Sequence, residues 1–194
     1  MSIMHPALIE FSLRIFRFIY STWIAQNLNK VGRDPNIYYP FYLKGGRYIT
    51  IGSTFIAGYR TRIEAWDSYA GERFNPIIKI GNNVCINYDC HFGAINHIEI
   101  GDNVLIGSRV TIVDHDHGTV DSVSLQMKPG NRPLVSKGPV IVEHDVWIGE
   151  NVVILSNVTV GHNSIIGASS VVTKSVPPFS VIGGIPAKVI GSHG

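Results

Sequence analysis

The sequence predicts an all-β solenoid, a chain wound into triangular turns, and three observations carry that prediction. First, Val142, Ile148, Ile154, Val160, Ile166 and Val172 fall at a strict step of six, and every one is β-branched. Second, Val146, Val152, Val158, Ser164, Ser170 and Val176 follow them by four places, all small or β-branched. Third, Gly149, Gly161 and Gly167 sit one place after members of the first series. Neither the 3.6 period of a helix nor the alternation of a half-buried strand produces a step of six. Six residues make one flat side, and three sides close a turn of about 18 residues whose Val and Ile stack along the axis. β-branched residues suit such short strands because they are stiff at χ1 and pack well. Gly149, Asn151, Gly161, Asn163 and Gly167 are expected at the corners, turning the backbone at positive φ.

The rest of the chain is read in order. Residues 6–28 predict a helix that starts near Pro6, a favoured early helical position. Its polar stripe, Glu10, Arg14, Arg17 and Ser21, is narrow, and the remainder is apolar and aromatic. Three charges argue against a membrane span. Such a helix either packs on the solenoid or a neighbour, or lies at a membrane surface. Residues 31–50 read as loop, with Gly32, Pro35, Pro40 and Gly45-Gly46 as breakers. The step of six then runs through Ile51, Ala57 and Ile63, pauses at 66–76, and resumes at Ile80, Ile86 and Phe92. A two-residue slip near Asn96–His97 resets it to Ile100, Ile106 and Ile112. The longest break is 113–139, and Pro177-Pro178 ends the pattern. The expected division is therefore 1–48 as helix and linker, 49–176 as solenoid with loop 113–139, and 177–194 as tail.

Length and composition bound the function. At 194 residues the chain is one domain by length. Charged residues are 15%, below the usual quarter, which suits walls covered by sister subunits. A net charge of +2 gives no electrostatic case for nucleic acid. Cys85 and Cys90 make no disulfide framework and fit a reducing compartment, and Cys90 reads as core rather than nucleophile. The N-terminus reads as carrying no secretion signal.

A regular wall offers little chemistry, so function is expected where the repeat breaks. The loop 113–139 opens with Asp114, His115, Asp116 and His117 in four consecutive places. On an extended segment the carboxylates face one way and the imidazoles the other. A neutral imidazole can take a proton from a hydroxyl near pH 7, with a carboxylate holding its tautomer.

These hexads, the DHDHG loop, VWIGENVVILSNVTVG, IIGASSVVTKSVPP and GGIPAKVI resemble the hexapeptide-repeat acyltransferases, which are left-handed parallel β-helix proteins. Within them the chain is similar to the maltose/galactoside O-acetyltransferase branch and its relatives acting on cell-surface polysaccharides. The resemblance covers roughly 80–190. It implies a homotrimer with sites between neighbouring solenoids, acetyl-CoA as cosubstrate, a carbohydrate acceptor and no metal. Counted from Ile-Gly-Asp-Asn-Val at 100–104, His117 matches the catalytic histidine, with His115 the alternative if the loop is shifted by two. Asn87 matches an acceptor-contacting residue, and Asp114 and Asp116 are expected beside it. Trp147, Gly149, Ala168, Thr173, Lys174 and Lys188 match positions that touch CoA. Glu150 stands where a small hydroxyl residue is usual, and Gly191 where a second basic residue follows Lys188.

Three other readings are open to this sequence. One is N-acetylation of an amino-sugar nucleotide. Another is a zinc carbonic anhydrase on the same solenoid, needing three His ligands such as His91, His115 and His117. The last is a non-catalytic scaffold.

Overall fold

The computed structural model describes residues 6–192 and shows a parallel β-helix whose three walls are three parallel sheets. The first wall stacks Lys30–Val31, Ile49–Ile51, Ile77–Ile80, His97–Ile100, Val140–Val142 and Val158–Val160. The second stacks Asn36–Ile37, Ile56–Ala57, Cys85–Ile86, Leu105–Ile106, Trp147–Ile148, Ile165–Ile166 and Ser180–Gly184. The third stacks Phe41–Lys44, Thr61–Ala65, His91–Ala94, Thr111–Val113, Val153–Ile154 and Val171–Val172. Val142 pairs with Val160 and Ile148 with Ile166, one turn of eighteen residues apart, as the step of six requires. Ile80 pairs with Ile100, so that turn is two residues longer and the slip near Asn96–His97 is real. Ile86, Ile106, Ile148 and Ile166 form one fully buried column inside the second wall.

The corners divide into two jobs that the sequence reading had merged. Positive φ falls on Asn83, Asn103, Asp145, Asn151 and Asn163, whose short polar side chains tolerate it, and equivalent corners hold it at Arg60, Arg109 and Phe179 as well. These corners also cross-link the turns, with Asn83 Nδ2 donating to Asn103 Oδ1 (3.0 Å) and Asn103 Nδ2 to Asp145 Oδ1 (2.9 Å). Gly149, Gly161 and Gly167 are not at positive φ. A Cβ on Gly149 would lie 2.7 Å from Ala168 N, and one on Gly161 2.3 Å from Pro178 N. Those two are glycine because the next turn presses on them.

The solenoid extends beyond the expected limits at both ends. Residues 30–44, nearly all inside the 31–50 stretch read as loop, form a complete first turn in which Val31, Ile37 and Leu43 pair with Ile51, Ala57 and Ile63. Pro35 and Pro40 lie between its strands, where a missing N–H costs no ladder bond. At the other end, Ser180–Gly184 continues the second wall, and Ala187–Ser192 folds back on it antiparallel.

Helix α1 (Pro6–Ala25) lies across the open end of the first turn. Ser21 Oγ accepts from Ile37 N (2.8 Å), and Tyr20 Oη accepts from Phe41 N (3.0 Å). Two donors that have no preceding turn are thereby satisfied, which blunts the sheet edge. Ile24 enters the core beside Ile37 and Phe41. Packing therefore uses the polar side of the helix and leaves its apolar side outward.

The two interruptions of the repeat meet. Residues 66–76 form a small hairpin, Ser68–Tyr69 against Glu72–Arg73. In the long loop, Asp116–His117 pairs antiparallel with Leu134–Val135, and a short helix α2 (Ser122–Gln126) is capped by Asp121, which accepts from Val123 N and Ser124 N. Tyr69 Oη donates to Gly130 O (2.8 Å), and its ring sits edge-on to His117.

Candidate active site

Two groups of chemically capable residues emerge, on different edges of the prism. The first is at the corner where the third wall ends. Asp114 is fully buried; its Oδ1 accepts from Ile95 N (2.9 Å) and its Oδ2 from Asn96 N (2.8 Å). His115 Nδ1 lies 3.0 Å from Asp114 Oδ1, with 13% of its side chain exposed. A carboxyl fixed by two backbone amides thus fixes the ring, and Nδ1 bonded there leaves Nε2 for chemistry. The expectation that Asp114 touches an acceptor does not hold, because a buried carboxyl cannot reach one. Asp116 is half-buried and engaged by Lys137 Nζ at 2.7 Å. His117 is exposed and faces the Tyr69 ring.

His91, weighed above only as a possible zinc ligand, completes this corner. A Cβ on Gly93 would lie 3.3 Å from both His115 Cε1 and His91 Nε2, so the two imidazoles flank that glycine. His91 Nε2 is 3.1 Å from Glu64 Oε2, and Arg62 Nη2 lies 3.1 Å from His91 Nδ1. Burial, then the Arg62 guanidinium, hold the His91 pKa below its ordinary value. The signal was positional only: the register sets Glu64, Gly93 and Val113 side by side.

The second group is a groove of about 370 Å³ on the second wall, bordered by Asn87, Leu105, Trp147, Glu150, Ile165 and Ala168. Its floor is a column of glycines. Register aligns Gly107, Gly149, Gly167 and Gly183 above Asn87, and Gly183 pairs with Lys188 at the far end. Beside them run Cys85, Leu105, Trp147 and Ile165, with the indole about half exposed. A slot without side chains, walled by an indole and ending at a lysine, fits a long flexible chain bearing a terminal phosphate. The Cβ positions of Gly107 and Gly149 are blocked by the next turn, so the floor cannot fill. Glu150 borders the slot while holding Arg109 at 3.0 Å.

Thr173 and Lys174 do not border this groove. They follow the third-wall strand Val171–Val172, exposed, at the corner that carries His115 two turns below. Cys90 is inert: burial pushes its thiol up to about 11, and its Sγ donates to Gly107 O (3.1 Å). Among the described residues, no group of three or more His, Cys, Asp or Glu side chains could hold a metal ion. His91, His115 and His117 therefore form no zinc site there.

A triangular parallel β-helix with a histidine at a loop corner and a glycine-floored slot on another wall defines a class, and comparison with known proteins agrees with it. The bacterial transferase hexapeptide model (six repeats) matches residues 139–174, and the hexapeptide repeat of succinyl-transferase matches 97–120. The chain belongs to the hexapeptide-repeat acyltransferases, enzymes of left-handed β-helix fold. It is 33% identical over 160 residues to an Escherichia coli K12 protein provisionally named as the lipopolysaccharide biosynthesis O-acetyl transferase WbbJ, covering 81% of this chain and 78% of that one. Galactoside O-acetyltransferase of the same organism is 38% identical, over 58% of this chain and 53% of that enzyme. Among solved structures, a maltose O-acetyltransferase from Clostridium difficile matches with TM-score 0.60 and 25% identity over 98% and 90% of the two chains. A hexapeptide-repeat acetyltransferase from Vibrio cholerae, complexed with acetyl coenzyme A, matches with TM-score 0.57 and 28% identity over 92% and 77%.

Proposed function

We propose that this protein transfers an acetyl group from acetyl-CoA to a hydroxyl of a sugar in a cell-surface polysaccharide or its precursor. The observation that carries the reading is the buried Asp114 carboxyl oriented on His115, at the start of the longest break in the repeat. His115 acts as general base, its Nε2 taking the proton of the acceptor hydroxyl as that oxygen attacks the thioester carbonyl. His117, exposed beside it, and the half-buried Asp116 contact the acceptor, with Asn87 on the groove side. Trp147, Gly149, Glu150 and Ala168 hold the pantetheine arm, and Lys188 meets a CoA phosphate as a point charge. Catalysis here asks for one base and enforced proximity.

Because the base and the groove occupy different edges, the complete site combines two copies of the chain, set side by side in a homotrimer. Thr173 and Lys174 then reach the CoA bound on a neighbour's wall. Val120, Val123 and Leu125, exposed on the excursion, supply an apolar arm for that neighbour. The reaction belongs in the cytoplasm, where acetyl-CoA is.

Acetyl-CoA incubated with free sugars, nucleotide sugars and polysaccharide tests this reading. CoA release should accompany a product whose acetyl group is removed by mild base, as an ester is. A base-stable acetyl group formed only on amino-sugar nucleotides would make the enzyme an N-acetyltransferase instead.

A further inference from the structure

Helix α1 is amphipathic in the reverse sense. Its three charges, Glu10, Arg14 and Arg17, lie on the side that meets the first turn, where Arg17 stacks over the Tyr38 ring at 4.4 Å. The outward side carries Leu8, Phe11, Ile15, Phe18, Ile19 and Trp23, each at least 45% exposed and Phe18 73%. Its two hydroxyls are spent within the helix: Ser12 Oγ donates to Leu8 O, and Thr22 Oγ1 to Phe18 O. That half of the helix therefore offers water no charged group and no free hydroxyl donor. A monomeric soluble surface rarely keeps so continuous an apolar face.

Two further observations select the occupant. The face lies across the end of the prism, since the first turn ends all three walls and α1 covers it. Copies standing side by side, wall to wall, leave such an end uncovered. Charge is also uneven. Residues 6–47 carry six basic residues (Arg14, Arg17, Lys30, Arg33, Lys44, Arg47) and two acidic ones (Glu10, Asp34), whereas the remainder carries ten basic and twelve acidic. The end that bears the apolar face is thus the cationic end, which matches an anionic bilayer surface. No helix among the described residues is long and apolar enough to cross a membrane.

We infer that α1 is an interfacial anchor: its outward face enters the headgroup boundary of an anionic membrane while the solenoid stands away from it. This inference rests on the helix, the charge distribution and the side-by-side arrangement of copies proposed above, not on the acyl-transfer chemistry.

Flotation of the full chain with vesicles of phosphatidylcholine containing about one third phosphatidylglycerol tests it, beside the variant Phe11→Ser/Ile15→Ser/Phe18→Ser. These side chains are solvent-facing, so the variant should keep its fold by circular dichroism and its rate of CoA release with soluble acceptors. Wild type should float with the anionic vesicles, less with phosphatidylcholine alone, and the variant should partition at least about tenfold less. Equal flotation of variant and wild type overturns the anchor. So does a wild type that stays in solution and doubles its assembly mass through this face, as light scattering would show. Loss of acyl transfer with flotation intact would count against the proposed function alone.

Discussion

His115→Ala is expected to lower kcat/KM for acetyl transfer by about 10²–10⁴-fold, the range for removal of a positioned general base. The ring is held at 3.0 Å by a buried carboxyl, so alanine removes the base and leaves its orienting partner intact. KM for acetyl-CoA should change little, because the groove of Trp147 and the glycine column lies on another wall. His117→Ala should cost less and act mainly on the acceptor KM, since its ring faces Tyr69 and no carboxyl holds it. Steady-state kinetics on the two variants decide the matter. The reverse order of losses would make His117 the base, as counting from Ile-Gly-Asp-Asn-Val suggests.

Asp114→Ala should be the most damaging change to stability. Its two oxygens serve Ile95 N, Asn96 N and His115 Nδ1 with no exposure to water. Alanine leaves two backbone amides without acceptors in a dry corner, a cost of about 3–5 kcal/mol. In a chain of this size that lowers Tm by about 10 °C. Activity should fall as well at temperatures where the variant remains folded, because His115 loses its orienting partner. Asp114→Asn keeps the shape and one acceptor oxygen, so it should recover part of the stability. Thermal unfolding by circular dichroism checks both variants. A loss below about 1 kcal/mol for alanine would mean that the corner is open to water.

Most of the architecture was legible because one physical demand, a β-branched residue at the inside of every flat side, repeats without exception from Val142 to Val172. The first turn was missed although Val31, Ile37 and Leu43 keep the same step. Gly32, Pro35 and Pro40 look like breakers when a strand is expected to be long, but two-residue strands have room for them. The glycines were read correctly as necessary and wrongly in reason: Gly149 and Gly161 answer to the next turn's backbone, which no local pattern displays. Trp147, Gly149, Glu150 and Ala168 were legible as a group by resemblance, and they do share one groove. Leu105, Ile165 and Gly107, which border the same groove, were not. Glu64 escaped notice, and His91 was weighed only as a zinc ligand, because they reach His115 through register between turns, at separations of about one and two turns. Asp114 was expected on the same side as Asp116, at the acceptor. Its burial follows from two amide donors at Ile95 and Asn96 that require an acceptor.

Mixing two inactive variants tests most directly whether the site is divided between copies. His115→Ala spoils the base edge and Trp147→Glu the groove, and each alone should be nearly inactive. Co-assembled at equal amounts in random trimers, about one interface in four would join an intact base edge to an intact groove. Activity is therefore expected to return to roughly a quarter of wild type. Recovery no greater than the single variants show, in trimers proven to be mixed, would contradict a site built from two neighbouring chains.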